Sequence, residues 1–437
     1  MTKSGLTPLR RIVLTLLLAT GVGAVTPAPA AAQALPSIAD QPAATLLLPY
    51  FEVDLANPAG ANTLFTINNA SATAVLAHVT VWSAMHVPVY TFNVYLTGFD
   101  VQSLNVRNVI NGVLPVTASV GQDPTDTLSN QGPLSQDINF ASCAGQLPPP
   151  PVPQATVDHL RAALTGAPSP LAGGMCATVS DGTQVARGYI TVDTVNSCTL
   201  RMPNDPGYFG PGGTGDATNQ NVLWGDYLYT NHLGGLESGD SSPLVHIRAD
   251  ATDPETNTPG EYTFYGRLVG WTAADNREPL SNVFAVRFAR GGAFTQTTLT
   301  VWRDAKVDQG FFGCGTQPSW FPLNQDQIAI FDEQERPELT SGFPFTPQPP
   351  SGGLTPFPFA AQRVTVGGSE LPTAHSFGWI YLSLGTVVPS SPNPPEDPSM
   401  AQAWVSAHLK GTGRYSVGWP ATMLDSAKES PFRFIGF

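Results

Sequence analysis

VLAHVTVW (residues 75–82) and YTFNVYL (residues 90–96) show the clearest structural pattern in this chain. In both segments apolar side chains recur at every second position, as at Val79, Val81 and Phe92, with polar residues beside them. A period of two places the apolar side chains on one face of an extended strand. Both segments are therefore predicted to be β-strands.

The residues around these strands extend the same pattern. TLFTINN (residues 63–69) alternates in the same way, and clusters of turn-forming residues lie at 57–60 and 68–71. Asn and Gly supply the backbone conformations that tight reversals need. Short strands at this spacing are typical of antiparallel sandwiches, and they predict an N-terminal β-sandwich module over residues 41–116.

Residues 63–69 followed by 75–82 resemble the early strands of immunoglobulin-like exported bacterial domains. The resemblance covers about twenty residues. It implies an immunoglobulin-like fold class, and it implies no particular activity.

The composition points to the same class of protein. The chain has 437 residues, of which 42 are Gly and 42 are Pro. This frequency of helix breakers argues against long helices, while 42% hydrophobic content is enough for a buried core. We therefore predict a mainly β protein with two or more antiparallel β-sandwich modules and one short helix.

The rest of the chain divides into four predicted regions. Residues 117–183 form a Pro-rich connector with a short helix from Ala155 to Leu164, and residues 184–339 form a larger β-sandwich module. Residues 340–362 form a Pro/Gly-rich linker, and residues 363–437 supply C-terminal strands that complete a sandwich. The strands predicted in the larger module are 188–195, 222–229, 244–247, 262–269, 283–288 and 298–302.

The first 34 residues have the order of an export signal. Lys3, Arg10 and Arg11 precede an apolar run at 12–19, and small residues continue to an Ala-x-Ala site that ends at Ala34. This order predicts a signal peptide and a protein that is secreted, periplasmic or on the cell surface. No later apolar run approaches the ~20 residues of a membrane-spanning helix, so no transmembrane segment is expected after its removal.

The charge balance argues against nucleic acid as a partner. The formal net charge is −13, and it becomes −16 without Lys3, Arg10 and Arg11. Proteins bind a phosphate backbone through clustered Lys and Arg, whereas the arginines of this chain are scattered singly. A protein or glycan partner remains.

The four cysteines fit an exported protein. An even number of cysteines in an oxidising compartment predicts two disulfides. Four cysteines allow three pairings, and we expect Cys143 with Cys176, because they flank the helical segment, and Cys198 with Cys314.

Two polar loops gather oxygen ligands of the kind that calcium prefers. The first set is Asp205, Asp216, Asn219 and Asn221. The second set is Asp250, Asp253, Glu255 and Asn257. Neither loop has the Asp-x-Asp-x-Asp-Gly pattern, so solvated acidic turns are the alternative explanation. Calcium at the first set is the one cofactor that the sequence suggests.

Several acids lie beside aromatic residues in predicted strands. Glycosidases combine two carboxyl groups with aromatic platforms, so a secreted glycan hydrolase is an alternative function. The candidate acids are Asp193, Asp226, Asp304, Asp332, Glu333 and Glu335.

A serine-protease motif fails on inspection. GDSSPLV (residues 239–245) is similar to the nucleophile loop of trypsin-like proteases, but it lacks the two glycines that this family places between serine and proline. Ser241 also has no histidine in that family's context, because His78 lies in a strand pattern.

Taken together, these features of the sequence favour an exported, non-catalytic β-sandwich protein that acts in binding or structural assembly, with no catalytic residues assigned.

Overall fold

Strands dominate the computed structural model of the chain, as the alternation predicts. The structure describes residues 41–120, 140–231, 238–291, 295–304, 310–318, 321–323, 325, 327–339, 355–385, 402–411 and 416–425. The predicted signal peptide at 1–34 and most of the predicted linker at 340–362 lie outside these residues.

Strands and short helices alternate along the described ranges. The strands are β1 Thr45–Asp54, β2 Asn62–Asn69, β3 Val75–Ser83, β4 Pro88–Leu96, β5 Val101–Asn105, β6 Val185–Val195, β7 Leu223–Trp224, β8 Asp226–Asn231, β9 Ser238–Pro243, β10 Val245–Ile247, β11 Val283–Gly291, β12 Thr295–Arg303, β13 Gln327–Phe331, β14 Pro337–Leu339, β15 Ala361–Thr365, β16 Phe377–Ser383, β17 Ala403–Lys410, β18 Ser416–Pro420 and β19 Thr422–Asp425. The α-helices are α1 Val106–Ile110, α2 Gln154–Thr165 and α3 Pro254–Asn257, and single 3-10 turns lie at Phe140–Cys143, Pro170–Ala172 and Pro211–Gly213.

The strands form three antiparallel sheets. Sheet one has the order β10-β1-β6-β3-β4, and sheet three has the order β5-β2-β8-β9 with β7 also paired to β2. Sheet two has the order β14-β13-β16-β11-β12-β17-β18, with β15 paired to β12 and β19 paired to β11. The mainly β prediction is confirmed.

Sheet one is covered on both faces, because every residue of β3 is buried. One face carries apolar side chains such as Val79 and Val192, which sit opposite each other in the register and belong to the main core. The other face carries His78 opposite Asp193, and both side chains are fully buried. The alternation in this sheet therefore separates an apolar face from a buried polar face.

The strands pair across the predicted module boundaries. In sheet one, β1 pairs with β6 and β10, and β3 pairs with β6, so residues of the 41–116 and 184–339 segments share this sheet. The strands β15 to β19 join strands of the 283–339 region in sheet two. The segments from 41 onwards belong to one compact unit.

The helix predicted from Ala155 to Leu164 is confirmed as α2. It begins after Pro153 and ends at Gly166, which adopts the left-handed conformation at φ 76°. Its buried residues include Leu160, Ala163 and Leu164, as expected for one apolar face. In the described ranges α1 and α3 are additional short helices, and no helix is long and apolar enough to cross a bilayer.

The strand predicted at 262–269 is wrong, because these residues form consecutive turns. The Asp275 carboxylate accepts hydrogen bonds from the Tyr265 amide at 2.9 Å and from the Thr263 hydroxyl at 2.6 Å. The Asp275 side chain thus accepts a hydrogen bond from a backbone amide that, in a β-strand, would bond to the neighbouring strand. Tyr262 and Tyr265 are buried nonetheless, which explains their strand-like pattern.

Two disulfides are confirmed, but the predicted pairing is wrong. The bonds join Cys143 to Cys198 and Cys176 to Cys314, rather than Cys143 to Cys176 and Cys198 to Cys314. Cysteines that flank a helix in the chain need not be neighbours in space, and here each bonds to a cysteine on a more distant segment. The backbone of Cys176 instead pairs with that of Phe312, which brings Cys314 beside it.

Candidate functional site

An open cleft of about 660 Å³ lies where sheet three meets β10 of sheet one. This volume is typical of ligand-binding pockets. The ring of Trp224 is 49% exposed there, whereas Trp82 and Trp302 are almost fully buried. The residues that line the cleft are Gln41, Pro42, Ala70, Trp224, Gly225, Asp226, Ser241, Ser242, Pro243 and His246.

The β7–β8 segment presents two side chains to the cleft. Trp224 and Asp226 are exposed, while Leu223, Gly225 and Tyr227 between and beside them are buried. Residues two apart in an extended chain share one face and lie about 7 Å from each other. An aromatic ring and a carboxylate are therefore neighbours on the same surface.

Close backbone contacts fix this segment in place. A Cβ atom at Gly225 would lie 2.1 Å from the carbonyl oxygen of Thr66, so only glycine fits there. The Gly225 amide donates to Nε2 of His246 at 3.3 Å, and its carbonyl accepts from the Leu244 amide at 3.0 Å. The strand ends that carry Trp224 are thus held by backbone contacts.

The Asp226 carboxylate is also oriented. The Thr66 hydroxyl donates to its Oδ1 at 2.7 Å, and the same hydroxyl accepts from the Asp226 amide at 3.2 Å. This reciprocal pair sets the direction of the carboxylate on the exposed face of sheet three.

The remaining walls of the cleft are polar and mostly uncharged. Arg248 donates to Oε1 of Gln41, which orients that amide, and Ser241 is exposed on β9. Among the described lining residues, Asp226 is the one carboxylate, and there is no lysine or arginine. The cleft can stack a flat or ring-shaped group on Trp224 and exchange hydrogen bonds with hydroxyls and amides.

Asp193, a candidate acid, is fully buried in sheet one. Its Oδ2 accepts from the hydroxyls of Tyr208 at 2.8 Å and Tyr265 at 3.1 Å, and its Oδ1 accepts from Thr45. Arg277, also fully buried, lies 3.8 Å from Oδ1. These partners give the carboxylate a structural role in covering the polar face of sheet one.

Asp304 is buried in a second ion pair. Arg267 lies 2.9 Å from its Oδ2, and the Tyr262 hydroxyl donates to the same oxygen at 2.8 Å. A cavity of about 10 Å³ adjoins this pair, room for about one water molecule.

The other candidate acids lie in the tight turn between β13 and β14. Asp332 pairs with Arg336 at 2.6 Å and accepts from the Gln334 amide, while Glu333 and Glu335 are exposed. Asp193, Asp226, Asp304 and Asp332 each have their own partners, and the described cleft lining contains Asp226 alone.

The four residues predicted to bind calcium make separate contacts with the protein. Asp205 accepts from the Met202 amide, and Asp216 binds Arg201 at 3.0 Å and the Thr199 hydroxyl at 2.6 Å. The side chain of Asn219 binds Asn276 and Arg277, and the side chain of Asn221 binds the backbone of Ala249. Calcium at Asp205, Asp216, Asn219 and Asn221 stays a prediction.

The second acidic loop shapes its own backbone. Asp250 accepts from the amide and hydroxyl of Thr252, and Asp253 caps α3 by accepting from the Glu255 amide. In the part of the chain that the structure describes, no three His, Cys, Asp or Glu residues are grouped so that they could hold a metal ion.

Ser241 and His78 lie on different sheets. Ser241 is on β9 of sheet three, and His78 is on β3 of sheet one. Both ring nitrogens of His78 are within 3.0 Å of other groups, Nδ1 of the Asn93 side chain and Nε2 of the Arg201 carbonyl. His78 is therefore a satisfied core histidine.

His86 occupies a buried aromatic cluster beside Asp304. The centroid of its ring lies 5.2 Å from that of Trp82 and 5.5 Å from that of Tyr189, and those two rings are themselves stacked 5.4 Å apart. His86 is also hydrogen-bonded to the Tyr189 hydroxyl. Burial lowers the pKa of His86 to about 4, and the nearby Asp304 charge opposes this only in part. The imidazole is therefore neutral at physiological pH.

Trp224 is not among the site residues that the sequence predicts, although residues 222–229 are predicted to be a strand. The alternation of Leu223, Gly225 and Tyr227 with Trp224 and Asp226 was the available signal, because it predicts that the last two share a face. Which face is exposed depends on packing between sheets, and the local pattern carries no information on that.

The described residues form a mainly β, disulfide-linked protein with an open surface cleft lined by Trp224 and polar side chains. Comparisons of the chain with protein-family models, with curated proteins and with solved structures found no match.

Proposed function

We propose that this protein is an exported, non-catalytic binding protein whose ligand site is the Trp224 cleft. The observation that carries the proposal is the exposure of Trp224, at 49%, on a segment that Gly225 and Thr66 hold in place. A large aromatic ring costs free energy when it stays in water, and exposed aromatic residues are enriched where proteins bind partners.

Export and the finer fold class belong to the same proposal. Two disulfides fit an oxidising compartment, whether periplasm, cell surface or exterior. The immunoglobulin-like sandwich is proposed for the arrangement of the sheets on the resemblance at residues 63–69 and 75–82.

The distribution of acids favours binding over hydrolysis. Glycosidases flank the scissile bond with two carboxyl groups roughly 5 to 10 Å apart. The described lining of the cleft supplies Asp226, while Asp193 and Asp304 are buried in ion pairs with arginines. The described lining of this cleft therefore has no second carboxyl group with which to cleave a ligand.

A co-sedimentation experiment tests the proposal. The purified chain is mixed with the insoluble envelope fraction of the producing cells, and the bound fraction is measured for the wild type and for Trp224→Ala. We expect wild-type binding to fall by about ten-fold in the variant, the loss typical of an interface hot spot.

Phe377→Ala is the matched control, because Phe377 is an aromatic residue of sheet two that is 52% exposed. Its binding should equal that of the wild type. The same samples are assayed for release of soluble sugar or acid from polysaccharide and ester substrates. Turnover that Asp226→Asn abolishes would show that the protein is catalytic. Wild-type binding by Trp224→Ala would show that the ligand site is not the Trp224 cleft.

A further inference from the structure

A second exposed aromatic residue lies beyond the rim of the cleft. Phe99 is 70% exposed and has a left-handed backbone, with φ 56°, which is unfavourable for a bulky residue. Strained conformations of this kind persist where the surrounding structure enforces them.

Three backbone contacts enforce the conformation of Phe99. Its amide donates to the Ser71 carbonyl at 2.9 Å, and the Asn69 amide donates to the Asp100 carbonyl at 2.9 Å. A Cβ atom at the preceding Gly98 would lie 2.2 Å from the Ala72 carbonyl oxygen, so the two turns are in close contact. The backbone of Phe99 is therefore held in place by its contacts with the 69–72 turn.

The register of sheet three relates the two aromatic residues. Asn68 of β2 is opposite Trp224 on one side and Val101 on the other, so these side chains lie on one face of the sheet. Val101 is itself 59% exposed. Because β7 and β5 are separated by one strand, they are roughly 10 Å apart. Ala70, which lines the cleft, lies beside Ser71, which holds Phe99.

We infer that the cleft binds a neutral oligosaccharide, with Trp224 as the first stacking platform and Phe99 as the second. This inference rests on the proposed binding function. A sugar ring offers an apolar face to an aromatic ring and hydroxyl groups around its edge. Asp226, Gln41 and Ser241 supply acceptors and donors for those hydroxyls, and the described lining has no cation to favour an acidic sugar. Phe99 precedes β5, which lies roughly 10 Å from β7, and one sugar unit is shorter than this distance, so a ligand that contacts both residues must be an oligomer.

The prediction is that affinity depends on chain length. Neutral oligosaccharides of two to six units, of the cellulose, chitin and starch types, are titrated calorimetrically against the purified chain. Trp224→Ala should weaken every ligand that binds by about ten-fold. Phe99→Gly, which suits the left-handed backbone, should weaken only the longer ligands, so that their advantage over the short ones disappears. Phe377→Ala should bind all of them like the wild type.

Failure of this inference can be told apart from failure of the proposed function by treating the envelope fraction. Periodate cleaves the vicinal diols of cellulose-type and starch-type sugars, a chitinase hydrolyses chitin-type chains, which lack such diols, and a protease removes protein. Loss of Trp224-dependent binding after periodate or chitinase, with retention after protease, supports the oligosaccharide. Loss after protease alone identifies a protein partner and overturns the inference, while the binding function stands. Length-independent affinity, or unchanged binding by Phe99→Gly, overturns the role of Phe99.

Discussion

Arg277 links several segments that are distant in the chain. Its Nε donates to Thr45 at 3.0 Å, and its Nη2 donates to the Thr218 carbonyl at 2.9 Å. Its Nη1 donates to the Asp275 carbonyl at 2.6 Å, and Asp193 lies 3.8 Å away. The substitution Arg277→Met leaves a buried carboxylate without its cation, so we expect the free energy of unfolding to fall by about 3–5 kcal/mol. Urea titration measures the loss.

A second variant separates the charge of Asp193 from the packing of Arg277. Adding Asp193→Asn to Arg277→Met removes the unpaired charge, so the double variant should lose less than the sum of the two single losses. Asp181→Asn is the control, since its partner Arg187 is about one-third exposed and such pairs contribute less than about 1 kcal/mol. Additive losses at 193 and 277 would contradict the coupling.

His86 makes stability depend on pH. In the unfolded chain a histidine has a pKa near 6.5, whereas burial lowers the pKa of His86 to about 4. Between these values the unfolded state binds the proton and the folded state does not, so stability is lost as pH falls below 6.5. At pH 5 the loss from this residue is about 2 kcal/mol relative to pH 7.

His86→Asn tests this expectation, because Asn tolerates the left-handed backbone at φ 63°. Burial also lowers the pKa of His408, to about 3, but that residue is present in both proteins. The variant should be less stable than the wild type at pH 7 and should lose about 2 kcal/mol less between pH 7 and pH 5. Parallel pH profiles in urea titrations would refute the role of His86.

Asp193 and Asp226 have similar sequence surroundings but different environments in the folded protein. Asp193 and Asp226 both lie in strand patterns beside aromatic residues, and the sequence proposed both as catalytic acids. One is fully buried and bound to Tyr208 and Tyr265, and the other is exposed beside Trp224. Alternation predicts which neighbours share a face with each aspartate. Whether that face meets solvent depends on segments far away in the chain, and local pattern does not encode it.

The end of helix α2 depends on one glycine. Gly166 has a left-handed backbone at φ 76°, and a Cβ atom there would lie 2.3 Å from the Ser180 amide nitrogen. Gly166→Ala therefore adds a steric clash to the backbone cost of about 1 kcal/mol. Gly173→Ala is a matched control, because Gly173 has φ 65° and nothing lies within 4 Å of its Cβ position.

The two alanine variants should differ in stability by at least about 1 kcal/mol, with Gly166→Ala the weaker protein, because overpacking adds its own penalty. Urea titration of both against the wild type measures the difference. Equal losses of stability would mean that the backbone at Ser180 moves aside with no measurable loss of free energy. Its contact with Gly166 would then not be what requires a glycine at the end of α2.

Elements with local signals were predictable, and elements held by distant partners were not. Pro153 and Gly166 bracket α2, so its bounds were predicted to within a residue. The 262–269 segment has the aromatic content of a strand, but Asp275 binds its backbone and no strand pairs with it in the described sheets. Propensity alone does not distinguish a buried irregular segment from a strand.

On the scale of the chain, β1 shows why strand partners do not follow from the local sequence. β1 pairs with β6 and β10, whose residues lie more than 130 positions later, so N-terminal and central segments build one sheet. The apolar run Leu46–Leu48 of β1 fits any neighbour with an apolar face. Long-range pairing of this kind is a property of the whole fold.

The disulfides provide the last test, because they also join distant segments. Cys143 and Cys198 are 55 residues apart, and Cys176 and Cys314 are 138 apart. The loss of unfolded-chain entropy grows with loop length, which gives about 4 kcal/mol for the first bond and about 5 kcal/mol for the second. Replacing both cysteines of a pair by serine should therefore destabilise the protein more for 176 and 314. Peptide mapping without reduction should recover both native pairs. A Cys143–Cys176 peptide would refute this connectivity, and a larger loss for the first pair would show that native contacts outweigh chain entropy.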